Sequence, residues 1–191
     1  EELLSGSRLK GLEITGFTPD KPVLLIIGGS LGSVAVNTAV RNILPELLKE
    51  FQVIHICGKK NVDESLKGTP GYVQYGYVSE ELKDLFATAD IVISRAGANA
   101  ICELLALRKP ALLIPLSAAA SRGDQLLNAE SFRKQGFSDV LQEEEITDEV
   151  LLARIHHLYE TREEYRTAME KSNLGNAVQT IVELLDSLCE K

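Results

Sequence analysis

Short apolar runs alternate along this chain with longer segments whose apolar residues recur every three or four positions. Val23-Leu24-Leu25-Ile26-Ile27 is continuous and closed by Gly28-Gly29, which predicts a buried strand. Similar runs at Phe51–Cys57, Tyr72–Tyr77, Ile91–Ser94 and Ala111–Ile114, with a weaker one at Ser138–Leu141, predict about six strands in all. Near-continuous apolar strands bounded by Gly or Pro suit a parallel sheet covered on both faces. Helices are predicted over 33–49 (with a kink allowed at Pro45), 79–88, 98–107, 123–135, 147–160 and 175–189. The last carries Val178, Ile181, Val182, Leu185 and Leu188 at helical spacing. The alternation predicts a doubly wound, Rossmann-like α/β sheet through residue 142, with right-handed crossovers. Beyond 142 the strand signals stop, and two or three amphipathic helices finish the chain. The expected organisation is one domain, 1–191, with a sheet region over 20–142 and a helical tail over 143–191.

Composition narrows the class. At 191 residues with 45% apolar and 25% charged side chains, the chain has the balance of a globular domain. The net charge of −8 is unevenly placed. Residues 1–141 hold 16 acidic and 15 basic side chains, and residues 142–191 hold 12 and 5. The acidity therefore belongs to the tail. No basic stripe with interleaved aromatics marks a nucleic-acid partner. Cys57, Cys102 and Cys189 are scattered and odd in number, which fits a reduced, cytoplasmic setting better than a disulfide framework or a zinc site. No apolar run reaches the length of a membrane span. The chain opens at Glu1-Glu2-Leu3-Leu4 without Met, the pattern of an excised piece.

Ligands of doubly wound sheets bind beyond the carboxyl ends of the strands, and three such ends carry unusual residues. Gly28-Gly29-Ser30-Leu31-Gly32-Ser33 lies between a strand and a helix, where backbone N–H groups can approach a phosphate and the helix dipole favours it. It fits neither the Walker loop nor the G-x-G-x-x-G dinucleotide pattern. A tight turn capped by Ser30 or Ser33 accounts for it equally well. Ser94-Arg95-Ala96-Gly97-Ala98-Asn99 repeats the theme: Gly97 permits a tight turn that exposes the N–H groups of Ala98, Asn99 and Ala100. Glu103 follows within an apolar helix segment, where a carboxylate needs donors. A ribose diol supplies two, and a pairing with Arg95 or Arg108 is the plain alternative. At the third end, Pro115-Leu116-Ser117 leads to Ser121-Arg122-Gly123-Asp124-Gln125 and Asn128. Gln125 and Asn128 share a helix face and suit sugar hydroxyls. Helix capping by Asp124 and a buried Asn128 would explain them as well.

Other polar residues read plainly. His55 sits mid-strand as a satisfied core residue, and His156 and His157 ride a tail helix without metal-spaced partners. Glu143-Glu144-Glu145 is expected as a solvated loop and helix start. No Ser-His-Asp or Cys-His set can be assembled from the strand ends.

Three phrases taken together, GGSLGSVAVN (28–37), ADIVISRAGANAICELLALRKPALLIPL (89–116) and SRGDQLLNAESFRKQGFS (121–138), resemble the carboxyl-terminal half of the MurG family. These are bacterial peptidoglycan N-acetylglucosaminyltransferases of the GT-B superfamily, and the resemblance runs over nearly the whole chain. It implies one of two Rossmann-like domains, the one that binds UDP-N-acetylglucosamine without a metal or other cofactor. The amino-terminal acceptor domain would be missing. That domain carries the lipid-linked acceptor site, the membrane contact and the catalytic base in the family, so no catalytic residue is expected in this chain.

By position, the resemblance puts Ser30 at the diphosphate and the backbone of Val78 at uracil. It puts Ala98, Asn99 and Ala100 near the diphosphate and sugar, Glu103 on the ribose hydroxyls and Gln125 on the sugar. Gly29, Gly32, Arg95, Gly97 and Asn128 complete the expected donor site. Departures occur at Leu31 and Ser33, where many relatives have Gln or Lys and Ala, and at Asp124, where some have a second glutamine. The family's donor-contacting arginine lies upstream of Glu1. The implied setting is peripheral, at the cytoplasmic side of the bacterial membrane, in cell-wall biogenesis and hence cell shape and division. A diacylglycerol glycosyltransferase, or a stand-alone nucleotide-sugar-binding subunit with a membrane partner, would fit the same residues.

Overall fold

Among the described residues six parallel strands form one sheet in the order β3-β2-β1-β4-β5-β6. They are β1 (Val23–Ile27), β2 (Gln52–Ile56), β3 (Tyr72–Tyr75), β4 (Ile91–Ser94), β5 (Ala111–Leu113) and β6 (Ser138–Val140). The computed structural model describes residues 2–29, 32–117 and 123–172. The helix predicted over 175–189 and its apolar face lie outside them.

Alternation along the strands feeds two cores. From β1, Leu24 and Ile26 enter the core beneath α2 (Val34–Asn42), α3 (Leu44–Glu50) and α7 (Asp148–Glu160), meeting Val40, Leu47 and Ile155. Val23 and Leu25 enter the other, beneath α1 (Arg8–Thr15), α4 (Leu82–Thr88), α5 (Ala98–Ala106) and α6 (Asp124–Lys134). These four β1 side chains are fully buried, so neither face can tolerate a polar residue there. The sheet has helices on both sides, as the continuous apolar runs require. Strand order reverses between β1 and β4, which leaves a crevice at their carboxyl ends.

The predicted strands hold, most of them trimmed by one to two residues. The helix predicted over 33–49 is two helices that break at Ile43 (φ −95°, ψ 2°), with Pro45 in the first turn of α3. A proline there costs no hydrogen bond, because first-turn N–H groups have no helical acceptor. The helix predicted from 79 begins at Leu82, after a turn closed by Leu82 N–H to the Ser79 carbonyl at 3.2 Å. Gly123, in the left-handed region at φ 88°, occupies the cap position of α6, so Asp124 does not cap it.

Two helices carried no sharp sequence signal. α1 buries only Gly11, Leu12 and Thr15, and it is held to α4 by Ser7 N–H donating to the buried Asp84 carboxylate at 2.7 Å. α8 (Arg162–Lys171) buries only Met169.

Candidate functional site

A cavity of about 960 Å³ opens at the carboxyl ends of β1, β4 and β5, where the strand order reverses. Its size is that of a small-molecule site. One wall is the Gly-rich turn after β1. Gly32 has φ +77°, and a Cβ added to it would lie 1.9 Å from the Cys57 carbonyl oxygen. Only glycine lets this turn rest on the end of β2. Ser33 then caps α2, its hydroxyl accepting from Val36 N–H at 3.3 Å. Gly28, Gly29, Gly32 and Ser33 all line the cavity. Ser30 lies outside the described residues.

The opposite wall is the start of α5. Gly97 occupies its cap position with φ −67° and ψ 147°, and no side chain caps the helix. This corrects the expectation of a glycine-dependent turn: the backbone at Gly97 is ordinary, and a Cβ there would meet nothing within 4 Å. The space beside Gly97 is cavity. Ala98, Asn99 and Ala100 line it, and first-turn N–H groups have no acceptor within their own helix. The positive end of the α5 dipole therefore faces the cavity.

Glu103, one turn further along α5, also lines the cavity and is half-buried, and burial pushes its carboxyl above the ordinary range. Among the described residues its carboxylate takes no hydrogen bond or ion pair. Neither arginine considered as its partner reaches it. Arg108 pairs with Glu170 at 2.9 Å, and Arg95 is engaged beneath the cavity.

Arg95 departs from a simple donor-contacting role. Its guanidinium donates to the carbonyls of Ile114 (3.0 Å) and Pro115 (3.2 Å) and to the Ser33 hydroxyl (2.6 Å), and it pairs with Glu143. It touches the cavity wall, but its charge is spent within the chain. Glu143 corrects a second expectation. The acidic run is not uniformly solvated: Glu144 and Glu145 are exposed, whereas Glu143 turns inward from a short 3-10 helix (Glu143–Glu145) onto Arg95.

The remaining expected residues divide. Val78 lines the cavity with neither its N–H nor its carbonyl hydrogen-bonded among the described residues. Gln125 lines it too, its amide oxygen accepting from Leu116 N–H at 3.1 Å and its amide N–H groups without an acceptor among the described residues. Asn128 does not reach the wall, because its amide donates to the Ala96 carbonyl at 3.0 Å and braces the turn before α5. Tyr77 joins the lining, as do Ser94 and Leu116, which the sequence marked only as members of their strand-end motifs. Ser94 is marked only by being the last residue of β4, between Ile27 and Leu113.

Among the described residues no group of three His, Cys, Asp or Glu is placed to hold a metal ion. Cys57 is buried and Cys102 exposed, and neither is paired. No described helix is long and apolar enough to cross a membrane.

Fold and strand order place the chain among Rossmann-like α/β domains of the kind that forms the carboxyl-terminal half of GT-B glycosyltransferases. More narrowly, it belongs to the glycosyltransferase family 28 C-terminal domain, whose model matches residues 23–185. It is 59% identical over 185 residues to a protein of Lachnospira eligens, covering 97% of this chain and 52% of that protein. It is likewise 59% identical over 187 residues to one of Geobacillus thermodenitrificans, covering 98% and 52%. Both relatives are named UDP-N-acetylglucosamine–N-acetylmuramyl-(pentapeptide) pyrophosphoryl-undecaprenol N-acetylglucosamine transferase. The chain thus spans about half the length of the curated relatives it matches. A crystal structure of MurG from Acinetobacter baumannii superposes with a TM-score of 0.74 at 26% identity, over 97% of this chain and 55% of that one. The calicheamicin glycosyltransferase CalG4, at 16% identity and a TM-score of 0.66, shares the fold.

Proposed function

We propose that this chain is the donor-binding half of an inverting glycosyltransferase that moves N-acetylglucosamine from UDP-N-acetylglucosamine to a lipid-linked muramyl-pentapeptide. Residues 1–191 make one UDP-sugar domain in this reading, with the acceptor site, the membrane contact and the catalytic base on the other half. The whole enzyme works at the cytoplasmic face of the membrane in peptidoglycan synthesis. The relatives' names supply donor and acceptor. One observation in the chain carries the reading: a half-buried Glu103 carboxylate, unpartnered among the described residues, shares a cavity with the uncapped N-terminus of α5.

Each feature has a task. Glu103 accepts from the ribose hydroxyls, and free Val78 backbone groups meet the edge of uracil. The turn over 28–33 and the N–H groups of Ala98, Asn99 and Ala100 hold the diphosphate. Gln125, with its free amide hydrogens, reads the sugar. As the acceptor oxygen bonds to the anomeric carbon, the bond from that carbon to the β-phosphate oxygen breaks and the acceptor's proton passes to a base on the other half. Negative charge then grows on UDP, where fixed N–H dipoles stabilise it without reorganising. No metal is invoked.

Calorimetric titration of the chain with UDP, UDP-N-acetylglucosamine and an ADP-sugar tests the donor. Binding of the uridine nucleotides is expected, with no turnover by this chain alone. Preference for the ADP-sugar overturns the assignment.

A further inference from the structure

A carboxylate in the wall of a diphosphate pocket is an electrostatic cost, and Glu143 is such a carboxylate. Its side chain is 26% exposed and that of Arg95 only 9%, so the acid is the member of the pair that looks outward. Arg95 is bound by three neutral acceptors as well, the Ser33 hydroxyl and the carbonyls of Ile114 and Pro115. Those partners belong to the turns after β1 and β5, and Arg95 itself to the turn after β4. The guanidinium is therefore a strut between the three segments that frame the cavity. The strut works through its hydrogen bonds, and Glu143 balances the charge that comes with them.

We propose that Glu143 is a positioning residue that sets donor and product affinity by cancelling the charge of Arg95. Arg95 keeps the three turns in register as one half of a neutral pair, and within this pocket wall the phosphates meet backbone N–H groups rather than the Arg95 charge. The consequence falls chiefly on the product. Free UDP ends in a phosphate bearing one more ionisable oxygen than UDP-N-acetylglucosamine does. An uncompensated cation beside it would hold the product more firmly than the donor and slow its release. This inference rests on the UDP-sugar reading of the cavity.

Calorimetry on the wild-type chain and on Glu143→Gln, with UDP, UDP-N-acetylglucosamine and uridine, tests it. The variant keeps the shape and removes the charge. UDP binding is expected to tighten about 5-fold or more for a unit charge a few ångströms away, with a smaller gain for UDP-N-acetylglucosamine and none for uridine. The gain shrinks as salt is raised. Glu144→Gln, the same charge change on an exposed neighbour, leaves all three affinities unchanged. Should Glu143→Gln lower the melting temperature, the rise caused by saturating UDP is compared instead, and it must be larger in the variant.

Unchanged or weaker UDP binding by Glu143→Gln overturns the inference. So does an equal change for UDP and uridine, which would mark a shape effect, or a loss confined to UDP-N-acetylglucosamine, which would mark a sugar contact. A wild-type chain that binds no uridine nucleotide overturns the donor reading itself.

Discussion

Nε2 of His55 lies 2.9 Å from Oδ1 of Asn37, joining the middle of β2 to α2 inside the core. The Asn37 amide nitrogen donates to the Cys57 carbonyl at 2.8 Å, which orients the amide and makes Oδ1 an acceptor. Nε2 therefore carries the imidazole proton, and Nδ1 accepts from the Tyr72 hydroxyl at 3.0 Å. The ring is satisfied only while neutral. Burial, with Arg41 nearby, lowers its pKa from 6.5 to about 3.

A pH dependence follows. Between pH 6.5 and 3 the unfolded chain binds a proton at His55 that the folded chain refuses. Stability is therefore full above 6.5 and is lost as the pH falls toward 3, with this residue contributing about 1.4 kcal/mol per pH unit. Denaturant titrations of wild type and His55→Gln should show the wild-type advantage narrowing steadily below pH 6.5. An advantage constant from neutral pH to pH 4 would count against the neutral ring.

Glu103 predicts the opposite kind of experiment, on binding. Its carboxyl titrates above the ordinary carboxylate range because it is buried without a donor. Ribose hydroxyls bind best to the ionised form, so affinity for UDP-N-acetylglucosamine, which lacks UDP's titrating terminal phosphate, should fall with falling pH, starting higher than an exposed glutamate would allow. Glu103→Gln should flatten that dependence. Glu103→Ala should weaken UDP by about 1–3 kcal/mol, the range for hydrogen bonds to a charged group. Calorimetry across mildly acidic to neutral pH reads both, and a pH-independent wild type would refute the ribose role.

Two of the cavity's glycines, Gly32 and Gly97, separate fold from function. Gly32→Ala puts a Cβ against the Cys57 carbonyl in a left-handed backbone, so it should cost about 2–4 kcal/mol of stability. Gly97→Ala meets no atom and needs no unusual φ, so its cost should stay under about 1 kcal/mol, that of a poorer helix cap. Its methyl group would stand where the diphosphate is proposed to sit, so UDP binding should weaken by about tenfold, or 1.4 kcal/mol. Thermal melts paired with titrations distinguish the two. A Gly97→Ala chain that binds UDP normally would remove the α5 terminus from the phosphate site.

How much of this was legible beforehand depends on range. β1 and β4 could be bounded to the residue because each is a continuous apolar run closed by a polar or glycine residue, and burial on both faces leaves no other pattern. Glu103 and Gln125 were visible because a lone acid or amide beside a strand end has few structural excuses. Glu143 was not, because an acidic triplet after the last strand reads as solvated unless one knows that Arg95, 48 residues earlier, lies buried beneath it. For Asn128 a long-range contact again enters: its spacing put it on the Gln125 face of the helix, while its amide donates to the Ala96 carbonyl, 32 residues away. α1 escaped notice because close approach to α4, not an apolar stripe, holds it in place.

At the far end of the sheet, Lys109 is held with two arginines around one acid. Its ammonium donates to the Ala89 carbonyl at 2.7 Å, while Arg8 meets Asp90 at 3.3 Å and Arg166 donates to the Asp90 carbonyl at 3.3 Å. Burial, chiefly, and the neighbouring arginines lower the Lys109 pKa from 10.5 to about 8, against the pull of Asp90. Between pH 8 and 10.5 the unfolded chain keeps a proton that the folded chain has released, so this residue's contribution to stability rises with pH across that window. Titrating tyrosines and cysteines act in the same range, so the comparison must be made against Lys109→Met, which has no proton to release. The stability of wild type relative to Lys109→Met should climb from pH 8 toward pH 10, by denaturant titration at each pH. A flat difference would mean that Lys109 keeps its proton in the folded chain and that Asp90 outweighs both arginines.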